Sequence, residues 1–128
     1  MAALIHSFRD LVVWQKGMDL VTEIYRLSKK FPKDELFGLT SQIRRAAVSI
    51  PSNIAEGRGK SSKGEFQQFL HHSMGSLAEV ETQVIIAQNL GYLNAAETKP
   101  IMEIIAEVGR LLNGLLNSIK NKVIFYLT

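Results

Sequence analysis

The chain has 128 residues, no cysteine and a net charge of +3. This length is enough for one domain with a buried core, and the absence of cysteine excludes disulfides and thiolate metal sites. No run approaches the roughly 18 apolar residues that a membrane-spanning helix needs, and no signal segment is recognisable at the start of the chain. We therefore expect one cytoplasmic domain over residues 1–128, with no membrane partner.

Positive charge is concentrated in one segment of the chain. Residues 26–63 contain nine lysines and arginines against three acids, whereas the other residues contain six against nine. Such asymmetry favours an anionic partner, and an ordinary solvated surface is the alternative.

Helical periodicity begins at Phe8 and predicts a first helix over residues 8–30. Its apolar residues fall in two stripes, which indicates burial over most of the circumference. Ser7 is the predicted N-cap, because its side-chain oxygen can accept from a first-turn N–H. Phe31 and Pro32 end the helix, since a residue before proline disfavours the α region.

The second predicted helix, residues 34–57, has a proline inside its apolar pattern. Its predicted core face starts at Leu36 and continues at helical spacing to Ile54. Pro51 removes one backbone donor, which predicts a kink at residues 49–52, and Gly57 is the predicted left-handed C-cap. Two shorter helices separated at the proline are the alternative.

Two further helices are predicted over residues 62–90 and 95–121. A capping box of Ser62 and Glu65 opens the third helix, and Gly91 ends it. Asn94 is the N-cap of the fourth helix, whose start Pro100 is expected to bend or delay. The apolar tail, residues 123–127, either extends this helix or docks on a neighbour.

Breaks of a few residues between these helices predict an all-α fold, an antiparallel up-down-up-down four-helix bundle. The first, second and fourth helices carry more apolar surface than such a core can absorb. Because large exposed apolar patches are rare on soluble monomers, we expect a homo-oligomer.

Four stretches resemble those of a known family: residues 8–15, 31–42, 49–57 and 75–79. The most specific is the run from Ser49 to Gly57, Ser-Ile-Pro-Ser-Asn-Ile-Ala-Glu-Gly. Over roughly residues 8–120, the chain resembles the four-helix-bundle proteins encoded in intervening sequences of bacterial 23S rRNA genes. The resemblance implies no catalysis, a ring of five subunits and a role with RNA. More distantly, the chain is similar to the accessory variability determinant of diversity-generating retroelements, which works with a reverse transcriptase and its RNA.

The basic segment supplies the predicted nucleic-acid-binding residues, which form one basic band. They are Lys29, Lys30, Lys33, Arg44, Arg45, Arg58, Lys60 and Lys63. Arginine suits phosphate because its planar fork donates two parallel hydrogen bonds. For Arg44 the alternative is an ion pair with a neighbouring subunit, for example with Glu56 or Glu79, and for Arg45 it is solvated charge. Aromatic residues are sparse here, so we expect binding to the RNA backbone and shape and not to its sequence.

The loop over residues 57–64 contains Gly-Lys-Ser, but it lacks the first glycine of a phosphate loop and follows a predicted helix. The N–H groups that open the third helix, beside Arg58, Lys60 and Lys63, predict a simpler anion site, and an idle basic loop is the alternative.

No residue pattern indicates catalysis, a metal or a cofactor. His71 and His72 are adjacent, so on a helix they point about 100° apart and cannot share a metal. Glu79 and Glu81 lie on different faces, which is unfavourable for acid–base chemistry. The sequence predicts a non-catalytic, oligomeric helical bundle that binds structured RNA. The alternative is a protein-interaction scaffold, or an accessory subunit of a nucleic-acid enzyme such as a reverse transcriptase.

Overall fold

The computed structural model describes residues 7–120. Over this range the fold is all-α, as predicted, and contains no strand. The four α-helices are α1 (Val12–Ser28), α2 (Leu39–Arg58), α3 (Lys63–Asn89) and α4 (Ala95–Lys120). Two short 3-10 helices, Phe8–Asp10 and Lys33–Glu35, precede α1 and α2. The predicted apolar tail at residues 123–127 lies outside the described residues.

Each long helix packs against two others around one apolar core. Helix α1 contacts α2 and α4, and helix α3 contacts the same two. One face of α3, the core seam, is buried along its length from Phe66 to Ala87. The largest fully buried side chains come from all four helices and include Leu20, Ile50, Leu70 and Leu112.

Polar contacts join neighbouring helices near their ends and near their midpoints. Lys30, after α1, pairs with Glu97 in the first turn of α4. Ser73 of α3 donates its hydroxyl to the Ile50 carbonyl oxygen of α2, at 2.9 Å. Thr98, in the first turn of α4, donates to the side chain of Gln88 near the end of α3, at 2.8 Å.

The predicted start of the first helix at Phe8 is wrong, because a 3-10 helix and an extended residue precede α1. Ser7 caps this 3-10 helix and accepts from the Arg9 N–H at 3.1 Å. Leu11 is extended, with φ −74° and ψ 123°. The Gln15 side chain donates to the Arg9 carbonyl at 2.8 Å and stabilises the break.

The predicted start of the second helix near Asp34 is also wrong. Helix α2 begins at Leu39, after Gly38 breaks the chain direction with φ −113° and ψ −114°. The Glu35 carboxylate accepts from the Leu39 N–H at 3.1 Å and so satisfies a first-turn donor of the later helix. Leu36, predicted to lie on the core face, is consequently exposed.

Helix α2 is a single helix that contains Pro51, so the alternative of two separate helices is wrong. Pro51 is buried, and its ring lies beside Gly17 of α1. The prediction of Gly57 as a left-handed C-cap is also wrong. The C-cap is Gly59, with φ −79°, and Gly57 lies in the last helical turn against Phe66 and Phe69.

The caps predicted for the last two helices are confirmed. Ser62 accepts from the Glu65 N–H at 3.1 Å at the start of α3, and Gly91, with φ +80°, follows its end. At the start of α4, Asn94 and Glu97 form a reciprocal pair of hydrogen bonds, at 2.9 and 2.8 Å. Because this pair sets the start at Ala95, Pro100 lies inside α4 and does not delay it.

Candidate nucleic-acid interface

The eight predicted basic residues form two groups near the two ends of α2. We define the α1–α2 cluster as Lys29, Lys30, Lys33, Arg44 and Arg45, and the α2–α3 cluster as Arg58, Lys60 and Lys63. Arg58 lies 14 positions after Arg44 on the helix, which corresponds to about 21 Å at about 1.5 Å per residue. The predicted band is therefore divided within one subunit.

Within the α1–α2 cluster, three lysines lie on the connection between the helices, and all three are exposed. Lys30 pairs with Glu97, and this hydrogen bond, with that of the Asn94 N–H, holds the pKa of Glu97 below its ordinary value. Lys29, Lys33 and Arg44 line a pocket of about 360 Å³. Lys29 and Lys33 have no acidic partner among residues 7–120.

Arg44 and Arg45 have different surroundings although they are adjacent. The Arg44 side chain is half-buried, donates from Nε to Ser28 Oγ at 2.8 Å and lies 4.7 Å from the Tyr25 ring centroid. It therefore links α2 to α1. Arg45 is exposed and has no ion-pair partner within the described part of the chain. Of the two, Arg45 is better placed to reach an external phosphate.

The α2–α3 cluster lies where α2 ends and α3 begins. Lys60 Nζ lies 3.9 Å from a Glu56 oxygen and 5.4 Å from the Phe69 ring centroid. Arg58 and Lys63 are half-buried. The N–H of Glu65 is already bonded to Ser62, and the Glu65 carboxylate lies at the same helix end. The lysine and arginine side chains, more than the helix N-terminus, therefore provide the positive charge for an anion here.

A polar groove between α2 and α3 was not predicted. Its volume is about 320 Å³. Six polar residues and Ala46 line it: Gln42, Arg45, Ala46 and Ser49 from α2, and Ser76, Glu79 and Gln83 from α3. Gln83 is only 9% exposed, and its Oε1 has no hydrogen-bond partner among the described residues. A sequence feature could have indicated it, because Gln83 is a polar residue beside Val80 and Val84 of the core seam.

A second, apolar groove lies between α1 and α2. It measures about 360 Å³ and is lined by Trp14, Met18, Val21, Val48, Pro51, Ser52 and Ala55. Met18 is 42% exposed and Val48 is 40% exposed, and Phe37, which does not line the groove, is 93% exposed. The groove carries no charged residue.

Neither a metal cluster nor a membrane-spanning helix is found in residues 7–120. Within this range no group of three or more histidine, cysteine or acidic side chains is arranged to hold a metal ion. His71 and His72 are both exposed on α3. None of the described helices has an apolar stretch long enough to cross a membrane.

These features define a small helical-bundle protein with two basic clusters and with surface grooves between α1 and α2 and between α2 and α3. The sequence model of the 23S rRNA-intervening sequence proteins matches residues 9–114, and the chain belongs to this family. Among solved structures, it is similar to a protein of unknown function from the S23 ribosomal protein family of Bacteroides thetaiotaomicron VPI-5482. That similarity has a TM-score of 0.76 at 23% identity, covers 81% of this chain and 97% of the other, and concerns the fold alone. No curated protein matches the chain.

Proposed function

We propose that the chain is a non-catalytic, oligomeric helical-bundle protein of the cytoplasm that binds structured RNA through its two basic clusters. The observation that carries the proposal is the grouping of lysine and arginine side chains near both ends of α2. The family to which the chain belongs is named for sequences that interrupt 23S rRNA, which favours RNA as the anionic partner.

The proposed architecture is an antiparallel up-down-up-down bundle. The pairs Lys30 with Glu97 and Thr98 with Gln88 support it, because each joins the end of one helix to the start of a neighbouring helix. In this arrangement the α1–α2 and α2–α3 connections lie at opposite ends of the bundle, so each basic cluster would contact a separate part of an RNA.

The proposed assembly is a ring of identical subunits, with five as the number that the family resemblance implies. The exposed apolar side chains of Met18, Phe37 and Val48 support assembly, because burial in an interface would remove them from water. A ring repeats each basic cluster around its axis. Several weak phosphate contacts would then act together, since linked sites raise the effective local concentration of the ligand.

A salt titration of RNA binding tests the proposal. Each neutralised phosphate releases counterions, so log K should fall linearly with log salt, with a slope of about −0.9 per contact on a duplex. Replacing Arg58, Lys60 and Lys63 together by alanine should weaken binding to all sequences alike. It should also flatten the slope by up to about two to three units if each residue makes one contact.

The matched control removes the same charge from α4. Lys99, Arg110 and Lys120 are all exposed there and belong to neither cluster. Their triple alanine variant should keep most of the parent's affinity and its salt slope. Equal losses in the two triple variants would mean that net charge alone governs binding, and the assignment to the α2–α3 cluster would be wrong.

The apolar groove between α1 and α2 favours a second candidate, a protein scaffold or an accessory subunit of a nucleic-acid enzyme such as a reverse transcriptase. Its lining is uncharged, which suits an apolar partner surface better than RNA. If the parent protein binds neither RNA, duplex DNA nor heparin at low salt, RNA binding is excluded and the scaffold function takes its place.

A further inference from the structure

The polar groove between α2 and α3 has in its wall a buried acceptor that no described residue satisfies. The Gln83 Oε1 acceptor is buried and has no partner among residues 7–120. Neither Glu79 nor Arg45, on the rim of the groove, has an ion pair within the same range. A buried acceptor without a partner is costly, and a ligand that supplies an N–H donor removes that cost.

The floor of the groove is held in place by its own hydrogen bonds. Ser49 and Ser76 share a hydrogen bond of 2.8 Å across the two helices. Asn53 donates from Nδ2 to both the hydroxyl and the carbonyl oxygen of Ser49, each at 2.8 Å. These bonds fix the Ser49 and Ser76 side chains where the two helices meet in the groove.

We propose that this groove binds a guanine base, an inference that rests on the proposed RNA binding. The α3 side of the groove is lined by two residues that can accept hydrogen bonds, Glu79 and Gln83, and the α2 side by one charged donor, Arg45. Guanine presents the complementary set on one edge: two adjacent donors, N1–H and the 2-amino group, beside the O6 acceptor. Bases in single-stranded RNA are commonly recognised by hydrogen bonds to this edge.

The other bases match the groove less well. Adenine and cytosine each carry one amino group beside a ring acceptor, and uracil carries one N–H between two carbonyl groups. With any of them, one of the two acceptors in the groove stays without a donor. Arginine is a frequent partner of guanine O6, which is consistent with the position of Arg45 at the groove. The groove would thus add base recognition to the backbone contacts of the two basic clusters.

Binding of free nucleosides tests the inference separately from phosphate contacts. Guanosine has no phosphate, so it measures binding of the base in the groove without any phosphate contact. We expect the full-length protein, in equilibrium dialysis, to bind guanosine about tenfold or more tightly than adenosine or cytidine, because each unpaired buried group lowers affinity. Inosine, which lacks the 2-amino group, should bind more weakly than guanosine. Affinities for guanosine and adenosine that are equal would overturn the inference.

Two variants locate the site. Glu79→Gln should lose most of the preference for guanosine, whereas the control Glu81→Gln, also exposed on α3 but outside the groove lining, should keep it. Gln83→Met replaces the buried amide by an apolar side chain of similar length. It should abolish guanosine binding while the melting temperature stays equal or rises, since no unpaired acceptor is then buried. Equal effects of Glu79→Gln and Glu81→Gln would contradict the proposed site.

A competition experiment distinguishes a base of an RNA strand from a free nucleotide. If the groove receives an RNA base, guanosine should displace a guanine-containing single strand and leave binding of a guanine-free strand unchanged. Salt-dependent RNA binding without guanosine binding would reject the groove site and leave the proposed function intact. Guanosine binding by a protein that binds no RNA would reject the proposed function and assign the groove to a free guanine nucleoside or nucleotide.

Discussion

Gly57 of α2 lies directly against Phe69 of α3. A Cβ added at position 57 would stand 2.6 Å from the Phe69 Cβ and 3.1 Å from Cδ1 of Phe66. Because a Cβ position follows the backbone, no change of side-chain rotamer can relieve the contact with Phe69. Substitution would therefore force the end of α2 away from α3, and glycine is needed here for close helix packing and not for its left-handed conformation.

We predict that Gly57→Ala destabilises the protein by about 1–3 kcal/mol, the usual cost of overpacking a tight contact. Urea denaturation measures the effect. Gly114→Ala is the matched control, because Gly114 lies inside α4 with open space around a Cβ. Alanine there should stabilise the protein by about 0.5–1 kcal/mol through helix propensity. If both variants were stabilised, the close contact at Gly57 would be excluded.

The sequence was sufficient to predict the fold class and the caps that open α3 and α4. These depend on local chemistry: the Ser62 and Asn94 caps involve residues only three positions away. The starts of α1 and α2 depend on less regular contacts, the bond from the Gln15 side chain to the Arg9 carbonyl and the bond from the Leu39 N–H to the Glu35 carboxylate. The second is supported by a contact that no local pattern contains, the bond to Glu35 from the Tyr92 hydroxyl, 57 residues distant.

The basic residues of the candidate site can be named from the sequence, but their arrangement in the fold cannot. Residues that are near in sequence, such as Arg44 and Arg58, are separated by the length of the helix that carries them. The groove between α2 and α3 brings together Arg45 and Glu79, which are distant in sequence. Their proximity follows from the pairing of α2 with α3, and helical periodicity alone does not determine which faces of the two helices meet.

The bonds to Glu35 predict a pH dependence of stability. Its carboxylate accepts from the Leu39 N–H at 3.1 Å and from the Tyr92 hydroxyl at 2.8 Å. Both hydrogen bonds favour the ionised form and lower the pKa of Glu35 below its ordinary value of 4.5. A lowered pKa means that the unfolded chain binds the proton more readily, so the stabilisation is complete above pH 4.5 and is lost as the pH falls through the folded pKa.

Glu35→Gln should therefore lower the melting temperature at pH 7 and have little effect at a pH below the folded pKa. Thermal melts of the variant and the parent between pH 2 and pH 7 measure the difference. Glu103→Gln is the control, because Glu103 is exposed on α4, and its melting temperature should follow the parent's at every pH. A difference between Glu35→Gln and the parent that is independent of pH would contradict the role of the ionised carboxylate.

Arg44 and Arg45 should differ in their effect on stability. Arg44→Ala removes the 2.8 Å bond to Ser28 and the contact with the Tyr25 ring. We expect a loss of about 1–2 kcal/mol, since hydrogen bonds from charged groups and cation–π contacts each contribute on this scale. Arg45→Ala should stay within about 0.5 kcal/mol, as surface substitutions usually do. Urea denaturation of both variants is the measurement, and equal stabilities would contradict the structural role of Arg44.

The apolar groove between α1 and α2 should determine assembly. The double variant Met18→Gln and Val48→Gln places polar groups on both of its sides, at positions already 42% and 40% exposed in the subunit. Folding should therefore persist, whereas association should weaken because less apolar area is removed from water. Sedimentation equilibrium at micromolar concentration should show an oligomer for the parent and smaller species for the variant.

The control for this variant uses α3. Ile85 and Ile86 have comparable exposures, 45% and 39%, but lie outside the groove between α1 and α2. Their double glutamine variant should sediment as the parent does. If the Ile85 and Ile86 variant dissociates and the Met18 and Val48 variant does not, α3 supplies the subunit interface. A parent that sediments as a monomer would rule out assembly altogether, and the exposed groove would then require a different partner protein.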